Sequence, residues 1–109
     1  MNFKNKVIVI TGASSGIGEA SAIKFAKKNA KIVLVARRKE KLLQLQKKLV
    51  KFTDSTLVCQ CDVSNKTQVK EMTDIVLDTF GRIDVLINNA GFVIYGKVSE
   101  LSIEEIESQ

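Results

Sequence analysis

Four short apolar runs recur along the chain, at residues 7–10, 32–35, 57–59 and 85–87. Each is rich in β-branched residues, and none alternates with polar ones. That pattern suits strands buried on both faces, as in a parallel sheet. Between them the apolar residues fall at helical spacing. Leu42, Leu45, Leu49 and Phe52 form one stripe, with Lys41, Gln44, Lys47 and Lys48 on other faces. Val69, Met72, Val76 and Phe80 form a second. Residues 17–30 are alanine-rich and fit a helix lying close against a sheet. The predicted order is β-α-β-α-β-α-β. Strands alternating with helices imply right-handed crossovers and a doubly wound α/β parallel sheet of about four strands with flanking helices.

The last residues start another element. Ser102-Ile103-Glu104-Glu105 has the spacing of a capping box, and Ile103 and Ile106 begin an apolar stripe. The sequence stops at Gln109, and the run at 85–87 lacks the neighbouring strand such a sheet continues with. An uncovered strand edge tends to pair with other chains. The expectation is that residues 1–109 are the first part of a longer molecule.

Composition narrows the class. With 45% hydrophobic and 27% charged residues over 109 positions, the chain has the make-up of a globular domain. This excludes a disordered tail, a collagen-like repeat and a disulfide scaffold. No apolar run approaches the roughly 20 residues of a membrane span. The start, Met1-Asn2-Phe3-Lys4-Asn5-Lys6, lacks the longer apolar stretch and small-residue site of a signal peptide. A cytoplasmic location without membrane association is expected. Charge is uneven: residues 1–51 hold 13 of the 17 Lys and Arg and two acids, while residues 52–109 hold four bases and ten acids. Such asymmetry marks either an anionic ligand or solvated helix faces.

The chemistry concentrates in Thr11-Gly12-Ala13-Ser14-Ser15-Gly16-Ile17-Gly18, between the first strand and the first helix. Gly12 allows the tight turn out of the strand. Gly16 lets a ligand approach the backbone, and Gly18 lets the helix pack closely. The helix start then offers free N–H groups and partial positive charge to a pyrophosphate. A glycine pattern alone is a weak signal, but its position opening a βαβ unit strengthens it.

This Thr-Gly-x-x-x-Gly-x-Gly spacing resembles the short-chain dehydrogenase/reductase family. Asn88-Asn89-Ala90-Gly91, after the fourth run, is similar to that family's Asn-Asn-Ala-Gly signature, and Cys61-Asp62-Val63 to its Asp-Val step. The resemblance covers essentially the whole chain. It implies a Rossmann-like fold, the N-terminal NAD(P)-binding portion, and hydride transfer between a nicotinamide dinucleotide and a small carbonyl or alcohol substrate. Gly12, Ser14, Ser15, Gly16, Ile17 and Gly18 would hold the adenosine phosphates and ribose. Asp62 would accept a hydrogen bond from the adenine amino group, with Val63 beside the ring. Asn89, Ala90 and Gly91 would line the cofactor near the ribose, while Asn88 would brace the sheet. Asp62 also fits a helix-capping turn with Ser64, and the Asn pair a left-handed turn.

In such folds an acid ending the second strand binds the ribose 2′-hydroxyl of NAD, whereas an arginine there pairs with the 2′-phosphate of NADP. Here the run ends Val35-Ala36-Arg37-Arg38-Lys39, so Arg37 and Arg38 point to a preference for NADP(H) over NAD(H). The family's proton-transfer residues are a Ser and a Tyr-x-x-x-Lys pair. The lone tyrosine, Tyr95, is followed four residues later by Ser99 and reads as a packing or substrate-side residue. No catalytic residue is assigned, the catalytic half is expected to lie outside these residues, and the 109 residues alone are expected to be inactive. A non-catalytic dinucleotide sensor is the alternative. Nucleic-acid binding through the basic half ranks last, because interleaved aromatics and a known module are both missing. With no histidine, Cys59 and Cys61 suit buried thiols better than a metal site. The family commonly pairs through the helix beginning at Ile103, so a homo-oligomer is expected.

Overall fold

The computed structural model describes residues 2–88 and 91–94, with 88 and 91–94 described through the backbone alone. The elements are β1 (Val7–Thr11), α1 (Gly16–Ala26), β2 (Lys31–Ala36), α2 (Lys39–Leu49), β3 (Thr56–Gln60), α3 (Lys66–Phe80), β4 (Val85–Asn88) and β5 (Gly91–Ile94). They form a Rossmann-like sheet in the order β3-β2-β1-β4-β5. The first four strands are parallel, with Ile8 beside Ile32 and Val85, and Val33 beside Leu57.

The unbroken apolar runs form strands because both sheet faces are covered. Val7, Val9, Val33, Val35, Cys59 and Leu86 pack with Val69, Met72 and Val76 of α3. The alternate residues Ile8, Ile10, Ile32, Leu34 and Val85 pack with Ala22 and Ala26 of α1 and Leu42, Leu45 and Leu49 of α2. The small side chains of α1 are what bring that helix close to the sheet.

Two features differ from the sequence-based expectation. Helix α1 ends at Ala26, short of the predicted residue 30. Asn29 takes a left-handed φ of 63°, a conformation that asparagine tolerates, and its carbonyl accepts from Asn5 N at 3.1 Å. The β4 edge expected to be open is paired: β5 runs antiparallel to it, with Asn88 opposite Gly91 and Val85 opposite Ile94. The capping box at 102–105, Tyr95 and Lys97 lie outside the described residues.

A buried acid pins the lower end of the sheet, where the strands begin. Asp84 is 5% exposed. Its Oδ2 accepts from Val7 N at 2.9 Å, and its own N–H donates to Val7 O at 2.9 Å. Oδ1 accepts from Arg82 Nε at 2.9 Å and also from Arg82 Nη2. Asp84→Asn should turn an amide N–H₂ toward one of these donors and cost about 1–3 kcal/mol. Urea denaturation checks this, and an unchanged midpoint would show that the pin is dispensable.

Much of the lysine excess also sits at this lower end. The ammonium groups of Lys27, Lys28 and Lys31 lie 5.4, 5.9 and 5.6 Å from the ring centroids of Phe52, Phe3 and Phe80. These lysines cover aromatic rings while remaining hydrated. Part of the charge asymmetry therefore belongs to solvated surface at this end, while Arg37, Arg38, Lys39 and Lys41 follow β2 at the strands' other end.

Candidate nucleotide-binding site

The sheet order reverses at β1. From β1 the chain steps to β2 and β3 on one side, then crosses back to β4 on the other. In open α/β sheets, ligands bind outside the carboxyl ends of the strands at such a reversal. Thr11, at the end of β1, bridges it: its Oγ1 donates to Ile87 O of β4 at 3.3 Å.

The loop from β1 to α1 is shaped by its own backbone. Gly12 has a φ of 63°. Its carbonyl accepts from Ser15 N at 3.0 Å and from Ser15 Oγ at 2.8 Å. Ser15 is also the N-cap of α1, its Oγ accepting from Gly18 N at 3.1 Å. Ala13 is buried and donates from its N–H to Val35 O at 3.2 Å, tying the loop to β2. The glycines at the helix start have opposite surroundings. A Cβ on Gly18 would lie 2.7 Å from Ala13 Cα and closer still to Gly12 O, whereas one on Gly16 would meet nothing within 4 Å. Packing therefore demands glycine at 18 and leaves open space at 16. Ile17 beside it is 77% exposed.

This strand–glycine loop–helix unit is matched along with the rest of the chain by the family model described as short chain dehydrogenase, over residues 6–109. The chain belongs to the short-chain dehydrogenase family. An uncharacterized oxidoreductase of Listeria innocua is 40% identical over 107 residues, covering 98% of this chain and 43% of that protein. The chain thus spans less than half the length of this relative. Among solved structures, a metagenomic short-chain oxidoreductase in complex with NADP shares 38% identity at a TM-score of 0.76, over 84% of this chain and 41% of that one. NAD⁺-bound xylitol dehydrogenase shares 33% identity at a TM-score of 0.78, over 84% of this chain and 35% of that one. Structural neighbours in the family thus hold either dinucleotide.

The other residues singled out in this family member line the same end of the sheet. Arg37 and Arg38 follow β2 and are exposed, Arg38 standing at the N-terminus of α2. Cys61 continues beyond β3, its N–H donating to Ala36 O at 2.9 Å. Asp62 and Val63 come next, and Val63 is 51% exposed. Exposed apolar side chains thus stand at positions 17 and 63. The turn anticipated between Asp62 and Ser64 forms, although Asn65 rather than Asp62 caps α3: Asp62 Oδ1 accepts from Ser64 N at 3.0 Å and from Ser64 Oγ at 2.7 Å. The Ser64 hydroxyl, then its N–H, holds the Asp62 carboxyl below the ordinary range, and the nearby Arg37 charge acts in the same direction. Ser14 is half-buried in the loop. Gly91 is placed by its backbone in β5, whereas Asn89 and Ala90 lie outside the described residues.

Two residues not singled out from the sequence act here. Gln60, ending β3, donates from Nε2 to Arg37 O at 3.1 Å. Gln68, in the first turn of α3, accepts on Oε1 from Asp62 N at 2.8 Å. The signal for Gln68 was present: an N-cap residue, Asn65, with Gln three residues on. Gln60 has no comparable sequence signature.

Cys59 and Cys61 are both buried, and neither forms a disulfide among the described residues. Burial, and then the neighbouring Cys61, pushes the Cys59 thiol up, so it stays protonated at neutral pH. Native protein should resist maleimide at both positions and react only on unfolding, read by intact-mass spectrometry. Fast native labelling would contradict this burial. Among the described residues no group of three or more His, Cys, Asp or Glu could hold a metal ion, and no helix is long and apolar enough to cross a membrane.

Proposed function

We propose that this chain is the cofactor-binding portion of an NADP(H)-dependent short-chain oxidoreductase acting on a carbonyl or alcohol. The observation that carries this reading is the contrast between Gly18, closed by loop backbone, and Gly16, open to 4 Å at the N-terminus of α1. The open glycine makes a cradle that a diphosphate fits and a side chain would fill. In this reading Gly12, Ser14, Ser15, Gly16, Ile17 and Gly18 hold the diphosphate and ribose. Arg37 and Arg38 take the 2′-phosphate, Asp62 and Val63 take the adenine, and Asn89, Ala90 and Gly91 flank the ribose nearer the nicotinamide. Bound there, the dinucleotide supplies a hydride to a carbonyl carbon or accepts one from an alcohol.

The work of these residues is binding and orientation. Unpaired N–H groups at the start of α1 would face the diphosphate charge, and two guanidinium groups would neutralise the extra phosphate. Proton transfer to the substrate oxygen is assigned to residues following this segment in the full-length protein. The same reading includes a cytoplasmic homo-oligomer.

The test is titration of the full-length protein with NADPH and NADH, followed by nicotinamide absorbance in the presence of a panel of aldehydes, ketones and alcohols. Tight NADPH binding with carbonyl-dependent oxidation is expected. Binding without turnover of any panel member would favour the sensor reading, and failure to bind either dinucleotide would overturn both.

A further inference from the structure

The turn between β3 and α3 treats the two oxygens of Asp62 differently. Oδ1 accepts two hydrogen bonds from Ser64, while no hydrogen bond among the described residues engages Oδ2. The main chain of the turn is held as well. Asp62 N donates to Gln68 Oε1 at 2.8 Å, and Asp62 O accepts from Asn65 N at 3.0 Å. Gln68 is itself fixed, because its N–H donates to Asn65 Oδ1 at 3.1 Å. Asp62, Asn65 and Gln68 thus close a ring of hydrogen bonds through the main chain of the turn, and Ser64 holds the carboxylate that this turn carries.

Capping the helix does not require this ring. Asn65 is the N-cap of α3 and supplies the side-chain acceptor for the first turn. The bonds from Ser64 and Gln68 to Asp62 are additional to that cap, and their effect falls on Asp62. An exposed aspartate otherwise samples several rotamers and must lose that freedom when a ligand binds. Fixing one oxygen beforehand removes part of this cost and leaves the other oxygen as the acceptor.

We propose that Ser64 and Gln68 are positioning residues for base recognition, holding the Asp62 carboxylate so that Oδ2 meets the 6-amino group of adenine. This rests on the reading of Asp62 as the adenine acceptor. The lowered protonation range of Asp62 agrees with it, since the carboxylate is charged at neutral pH.

The experiment compares dissociation constants of the full-length protein for NADPH and for its hypoxanthine analogue, which carries a 6-oxo group in place of the amine. Wild type is expected to prefer adenine by about tenfold or more, the worth of a hydrogen bond to a charged group. Ser64→Ala and Gln68→Leu should bring this ratio toward one. Ser64→Thr and Gln68→Glu keep the hydroxyl and the acceptor, and should preserve the ratio. A stability defect alone would weaken both ligands alike and leave the ratio unchanged. If wild type discriminates and Ser64→Ala and Gln68→Leu discriminate equally well, the positioning role is overturned. If wild type does not discriminate, the Asp62–adenine reading itself fails. The conservative variants keep the test decisive should Ser64→Ala or Gln68→Leu fold poorly: loss of discrimination in both folded conservative variants would overturn the proposal.

Discussion

Gly16→Val should leave the full-length protein as stable as before while lowering its affinity for NADPH at least about tenfold. Nothing in the fold asks for glycine at this position. The residue opens α1 without a left-handed φ, and a Cβ there meets no atom within 4 Å. Valine is also a slightly better helix residue than glycine, so stability should hold or rise by a few tenths of a kcal/mol. What the side chain would obstruct is the space over the free N–H groups of the first turn. Gly18→Ala is the counterpart. Its Cβ would press on Gly12 and Ala13, and backbone cannot swing aside as a side chain can. A cost of about 3 kcal/mol or more is expected, with nucleotide binding lost alongside stability. Thermal melts and NADPH titrations of both variants separate the two roles. Undiminished binding by Gly16→Val would show that no diphosphate rests on this turn.

This division of labour between two glycines is legible in the sequence, from their spacing between a strand and a helix. The unbroken apolar runs at 7–10 and 32–35 announced strands covered on both faces, because parallel strands have no polar side. The stripes on α2 and α3 announced which helix faces pack, and Leu42, Leu45, Leu49, Val69, Met72 and Val76 are all buried. Local chemistry with a fixed spacing was equally accessible, as at the glycine loop. Interactions that depend on distant partners were not. Asp84 meets Val7 across 77 positions, and nothing in Arg82-Ile83-Asp84 specifies that meeting. The pairing of β5 with β4 was not read either, because Gly91 belongs to the Asn-Asn-Ala-Gly motif, whose resemblance implies a cofactor-lining segment rather than a strand. Charge was ambiguous. The basic excess of residues 1–51 suited either an anionic ligand or solvated helix faces, and Lys27, Lys28 and Lys31 lie over phenylalanine rings at the lower end.

Arg37→Asp should invert the cofactor preference, lowering NADPH affinity by about 10- to 150-fold and raising that for NADH. The position is suited to the exchange. Arg37 is exposed one residue past β2, and Gln60 Nε2 holds its carbonyl, so the backbone presenting the side chain is fixed whichever residue stands there. On the proposed reading, removing the guanidinium gives up a charge-assisted bond to the 2′-phosphate, and the new carboxylate would repel that phosphate while accepting from a free 2′-hydroxyl. The new charge also faces Asp62, which Arg37 now helps to keep ionised. Loss of that attraction should raise the Asp62 protonation range. The lowered folded-state value adds stability above the unfolded carboxyl range and loses it as pH falls through the folded value, so in the variant this contribution should be smaller and its loss complete at a higher pH. Arg38→Ala should weaken NADPH without reversing the order, because Arg37 remains. Two-ligand titrations of wild type, Arg37→Asp and Arg38→Ala read the cofactor expectations, and acid denaturation of wild type and Arg37→Asp reads the pH dependence. Equal NADPH and NADH affinities in wild type would remove the arginines from cofactor choice and leave their charge to the solvent.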